Sequence, residues 1–168
     1  MQKKVISEIG VYYGQVEMPK GFEIDRDTLQ TEILKIKVKD TDILPFSIPW
    51  DLLNKYLREH LKVEYDLILI NKAIRGYYFK PGETSRPFFT ADPHNLRNAP
   101  DFVLLYGVHV KDCLIKIYYD DNRRKGKWWD IPLINNKFIM FPATQLYYIT
   151  NNQKDSLNFI QTTTYEST

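Results

Sequence analysis

Apolar and polar residues alternate at two different periods along this chain, and the change of period divides it. The stretch Val5–Met18 carries Val11, Tyr12, Tyr13 and Val16 in a strand-like pattern that Pro19-Lys20-Gly21 ends. Leu29, Ile33 and Ile36 then fall on one helical stripe, with Asp27 as a capping residue and Gln30 three positions later. A second helix follows from Ser47 as cap, Pro49 in the first turn, and Trp50, Leu53, Leu57 and Leu61 at spacings of three and four. Tyr65–Asn71 and Ile74–Lys80 read as strands, and Pro81-Gly82 as a turn. From Glu83 to Pro100 the pattern is lost among Pro87, Pro93 and Pro100, and a loop of that length in a compact fold is expected to be functional. Beyond it the period is two throughout: Phe102–Val110, Leu114–Tyr119, Trp128–Leu133, Lys137–Phe141, Leu146–Thr150 and Leu157–Tyr165. Asn135-Asn136 and Asn151-Asn152 split the later strands. Phe102–Val110 is apolar on both faces, so it is expected to be covered on both. The predicted architecture is α+β but mainly β: an antiparallel sandwich or barrel with two helices before it.

Composition sharpens this picture in a few places. The 168 residues suffice for one domain, read as residues 1–63 (strand and helices) and 64–168 (β core). Twelve Tyr, nine Phe and three Trp fit the strand assignment. A net charge of +2 announces neither nucleic acid nor membrane binding. The single Cys113 excludes an internal disulfide and a cysteine metal cage. No apolar run reaches the roughly 18 residues of a membrane span, and Met1–Val5 lacks the apolar stretch of a signal peptide, so an intracellular, reducing setting is expected. No Gly-x-Ser-x-Gly elbow and no glycine-rich phosphate loop occurs.

The segments Phe102–Val108, Ile117–Asn122, Ile131–Thr144 and Ser156–Phe159, in that order, resemble the double-stranded β-helix of the 2-oxoglutarate/Fe(II) oxygenases, in particular the oxygenase-like proteins of tailed phages. The resemblance implies a jelly roll with the two helices packed outside it. Its most specific piece is Phe138–Ala143 and the strand after it, where the family carries its distal iron-binding histidine. That histidine would fall at Tyr147. The family's His-x-Asp pair should precede Phe102, where Asp92-Pro93-His94 stands in reversed order. The arginine that grips 2-oxoglutarate would fall at Lys154, which keeps the charge and loses the bidentate fork.

Two function classes follow. In the first, the chain is a non-catalytic, oxygenase-like binding or structural module without a cofactor, belonging to the virion or its assembly and made in the cytoplasm of an infected bacterial host. Its partners would be other proteins, met through the turn and strand carrying Arg123, Arg124, Lys125, Lys127, Trp128 and Trp129, where cations stand beside tryptophans. Nucleic acid is a further candidate partner for such interleaving; a membrane is not. In the alternative, the chain is a divergent Fe(II)/2-oxoglutarate-dependent oxygenase in which Asp92, His94 and His109 hold iron, Lys154 pairs with the cosubstrate, and Glu83–Pro100 acts as a lid. A cupin-like small-ligand site at the barrel mouth is a third reading.

Overall fold

The computed structural model describes residues 1–4, 10–91, 94–120 and 126–168, with the backbone alone at 119, 120, 126 and 127. The candidate residues Asp92, Arg123, Arg124 and Lys125 lie outside the described residues. The elements are β1 (Tyr12–Gln15), α1 (Arg26–Val38), α2 (Ile48–Tyr65), β2 (Leu69–Phe79), β3 (Phe102–His109), β4 (Cys113–Asp120), β5 (Gly126–Leu133), β6 (Lys137–Pro142), β7 (Tyr147–Asn151) and β8 (Asn158–Ser167), with a 3-10 turn at Leu96–Asn98. The predicted double-stranded β-helix with two helices outside is the fold observed.

Two antiparallel sheets form the β core. One has the strand order β1-β6-β3-β8-β2, the other β5-β4-β7. β1, β2 and β3 lie in the larger sheet and β4 and β5 in the smaller, and from β5 to β8 the chain crosses between the sheets at each connection, as in a jelly roll. Between the sheets lies an apolar interior of Val103, Leu105, Ile115, Ile117, Ile139, Phe141, Ile149 and Ile160 among others. The second core lies between the larger sheet and the helices, where Leu29, Ile33, Leu53, Leu57 and Leu61 meet Leu104, Tyr106, Phe138 and Tyr165. β3 feeds both cores by alternation, which is why its sequence is apolar on both faces. At the edge strand β2 the helix layer comes so close that a Cβ on Gly76 would stand 2.7 Å from Ile33 Cγ1.

The helices begin where their polar caps allow. Ser47 caps α2 by accepting from Trp50 N, and Pro49 sits in the first turn. The α1 cap is Asp25, two residues before the expected Asp27: its carboxylate accepts from the backbone N and the hydroxyl of Thr28 at 3.0 and 2.7 Å. These bonds hold the Asp25 carboxyl below its ordinary range.

Two other expectations change. The predicted strand at Tyr65–Asn71 starts late, because α2 runs on to Tyr65 and ends at Asp66 in a left-handed turn. The two strands expected across 65–80 are then one strand, β2, whose register shifts between Asn71 and Ala73. The gap left between the two expected strands, at Lys72-Ala73, coincides with a bulge on a sheet edge.

The lone cysteine is walled into the barrel. Cys113 is buried, and burial pushes its thiol up to about 12. At pH 8 only about one thiol in ten thousand is then the reactive thiolate. The native protein is expected to show no titratable thiol with a disulfide reagent at pH 8, and one thiol in denaturant. A full native titre would contradict this burial.

Candidate functional site

The site begins with a segment that looked like a loop. Residues 83–91 lie antiparallel along β7, with bridges at Thr84–Thr150 and Phe88–Tyr147. Backbone bonds run from Ser85 N to Ile149 O (2.8 Å), from Phe88 N to Tyr147 O (2.9 Å) and from Ala91 N to Ala143 O (3.1 Å). This is an irregular fourth strand of the smaller sheet. Pro87 has no N–H to give, so the ladder is interrupted and the sequence pattern is lost. The first half of the expected lid is thus pinned to the sheet. The 3-10 turn at Leu96–Asn98 lies in its second half.

That pinning sets Phe88 against Tyr147. Their rings stack with centroids 4.9 Å apart and 11° between planes. Phe141, from the end of β6, meets Tyr147 edge-on at 5.1 Å, and Tyr77 of β2 meets Phe88 at 5.4 Å. Thr90, two residues beyond Phe88, lies beside the Tyr147 hydroxyl. Tyr147 is only 2% exposed, and burial pushes its phenol far above the ordinary tyrosine range. It stays protonated at any physiological pH.

Beside this cluster stands a polar one that the sequence did not reveal. Asp42, from the loop between the helices, accepts from Arg75 Nη1 at 2.7 Å and from the Tyr77 hydroxyl at 3.1 Å. Arg75 and Tyr77 alternate on the inner face of β2, and burial together with the Asp42 charge raises the Tyr77 phenol. Asp42 and Arg75 are 33 residues apart, so only the fold could pair them.

The described candidate ligands, His94 and His109, belong to no group of three side chains that could hold a metal among the described residues. His109 lies at the far end of β3, six residues from Val103, roughly 20 Å along an extended strand. A register shift between Gly107 and His109 turns its ring out of the barrel, where Nε2 lies 2.8 Å from Asp27 Oδ1 on α1. His94 is exposed in a turn and has a partner of its own. Lys154 is exposed in the connection between β7 and β8, outside the barrel interior. On β8 the inward residues near the mouth are Ile160, Thr162 and Thr164, without a cation. His60 packs edge-on to Phe138 beneath α2.

The proposed partner residues separate by strand alternation. Lys127 lies in β5, and Trp128 and Trp129 follow it on opposite faces. Trp128, 47% exposed, contacts Tyr118 and Tyr148 on the outer face of the smaller sheet, which no helix covers. Trp129 lies edge-on to Tyr13 of β1, at the seam between the two sheet edges.

The resemblance implies an iron ion, and the residues at the mouth can be tested against it. A non-haem facial site needs two imidazoles and a carboxylate, with open positions. The pair that faces Tyr147 is Phe88 and Thr90, which has the i, i+2 spacing of the family's pair and lies four residues before Asp92 and His94. Phe88 has no lone pair, Thr90 offers only a neutral hydroxyl, and Tyr147 is a neutral phenol. Among the described residues no group of three His, Cys, Asp or Glu could hold a metal. These residues do not fit the ion.

Comparison with known proteins bears on the fold. No family model matches the chain, and no curated protein does. Solved structures match over nearly its whole length. AviO1 from Streptomyces viridochromogenes superposes with a TM-score of 0.65 at 13% identity, over 94% of this chain and 90% of that one. A Pseudomonas putida prolyl-4-hydroxylase gives 0.62 at 10%, over 94% and 88%. The viral collagen prolyl hydroxylase of Paramecium Bursaria Chlorella virus-1, solved with 2-oxoglutarate, gives 0.64 at 14%, over 94% and 96%. The chain has the double-stranded β-helix fold of the 2-oxoglutarate/Fe(II) oxygenases.

Proposed function

We propose that this chain is an oxygenase-fold module that binds a partner without turning over 2-oxoglutarate. The observation that carries the reading is the stack of Phe88 on Tyr147, closed by Phe141, at the position where the resemblance would place the family's distal iron ligand. Aromatic rings in mutual contact supply packing there and no metal donor. The partner is a protein, and the phage resemblance suggests the virion or its assembly as the setting. The exposed aromatic face around Trp128 supports an interface, since Trp and Tyr dominate interface cores.

One observation favours a second reading. The matched structures include hydroxylases, and the fold comparison taken alone speaks for a divergent Fe(II)/2-oxoglutarate oxygenase rather than for a binding module. Under that reading Asp92 and His94 would hold the metal and Lys154 the cosubstrate. His109 is committed to Asp27 and would leave that set incomplete.

Iron content separates the two. Protein purified anaerobically and loaded with Fe(II) and 2-oxoglutarate is expected to retain iron at background and to release no succinate. A ratio near one iron per chain, lost in His94→Ala, together with uncoupled succinate, would overturn the first reading and establish the second.

A further inference from the structure

On the helix side of the molecule, away from the aromatic mouth, α2 presents a charged stripe. Asp51, Asn54, Lys55, Arg58, Glu59 and Lys62 recur at steps of three and one, which places them on one face of the helix. With residues 67–69 at the start of β2 they line a cleft of about 410 Å³, within the range of small-ligand pockets.

Arg58 is unusual within it. Its Nε is fully buried and has no hydrogen-bond partner. Among the described residues no carboxylate lies within ion-pair distance of Lys55, Arg58 or Lys62. Asn54 Oδ1 accepts from the Tyr165 hydroxyl at 2.7 Å and receives nothing from the Arg58 Nε. Asp51 and Glu59 line the same cleft, and the three cations leave it one net positive charge. The Nε itself is out of a ligand's reach, but Arg58 lines the cleft with no carboxylate paired to its guanidinium, so its terminal N–H groups are the ones an incoming anion can meet. A guanidinium is suited to a planar or tetrahedral oxyanion, which takes two of its N–H groups at once.

We propose that this cleft binds a small oxyanion, a phosphate or a carboxylate group, on Arg58, with Lys55 and Lys62 beside it. The site is independent of what happens at the barrel mouth, so it stands or falls separately from the binding-module reading. Calorimetric titrations with inorganic phosphate and with succinate, at constant ionic strength set by chloride, provide the test. Saturable binding of phosphate alone points to a phosphorylated ligand, and of succinate alone to a carboxylate. Arg58→Met is expected to weaken that binding at least tenfold, while Lys116→Met, on the opposite sheet, leaves it unchanged. Binding of neither anion above chloride would overturn the proposal, as would Arg58→Met binding like the wild type. If Arg58→Met fails to fold, the double variant Lys55→Met/Lys62→Met decides by the same comparison, with several-fold weakening expected and unchanged affinity fatal to the idea.

Discussion

Tyr147→Ala is expected to lower the stability of the protein by about 3–5 kcal/mol, the range for removing a large ring from a core. The ring is lost from two aromatic contacts at once, with Phe88 and with Phe141, and a cavity opens between the sheets. Tyr147→Phe keeps the ring and loses only the phenol hydroxyl, so it should cost about 1 kcal/mol. The measurement is denaturant unfolding of the three proteins, followed by far-UV circular dichroism. The same variants discriminate function. A residue serving as packing moves stability and leaves iron content untouched, whereas a metal ligand does the reverse. An alanine variant that is nearly as stable as the wild type but has lost bound iron would sink the assignment of this cluster as a core.

Gly107→Ala should be comparably damaging for a different reason. A Cβ at this position would lie 2.3 Å from Ile134 O and 3.0 Å from Val110 Cγ2. The first contact is with backbone, so no side-chain rotation can relieve it. The end of β3 is also clamped to that turn. Asn136 N donates to Gly107 O at 2.9 Å, the Tyr106 hydroxyl to Asn136 Oδ1 at 2.8 Å, and Val110 N to Asn135 Oδ1 at 2.7 Å. Moving the strand away from Ile134 strains all three bonds. A loss of about 3 kcal/mol or more is expected, at the upper end for overpacked sites. For a chain of this size that lowers Tm by roughly 10 °C. A melting curve within about 2 °C of wild type would show that the strand and turn separate easily, contrary to this account.

The two helices and the strands of the C-terminal part were legible because their burial is local and periodic. Leu53, Leu57 and Leu61 repeat along one face of α2 and are all buried. Phe102–Val110 reads as doubly covered, and β3 is. Errors arose where a single residue interrupts the period. Lys72, at a bulge, hid the continuity of β2, and Pro87 hid the pairing of 83–91 with β7. The second mattered more, because it hid the pair that faces Tyr147. His109 was misplaced for the same kind of reason. Strict alternation would set it facing the barrel, and a register shift one residue before it turns the ring to Asp27.

The sequence by itself determined the periods, the cap of α2 and the apolar strands. Each of these depends on residues close together in the chain, where spacing translates directly into a shared face. The tertiary structure alone decided which groups meet: Phe88 with Tyr147, Asp42 with Arg75, His109 with Asp27, and Asn54 with Tyr165. Those pairs are separated by 33 to 111 residues. Their geometry comes from strand register and helix docking, which are set by the packing of the two cores as a whole. No local pattern encodes that.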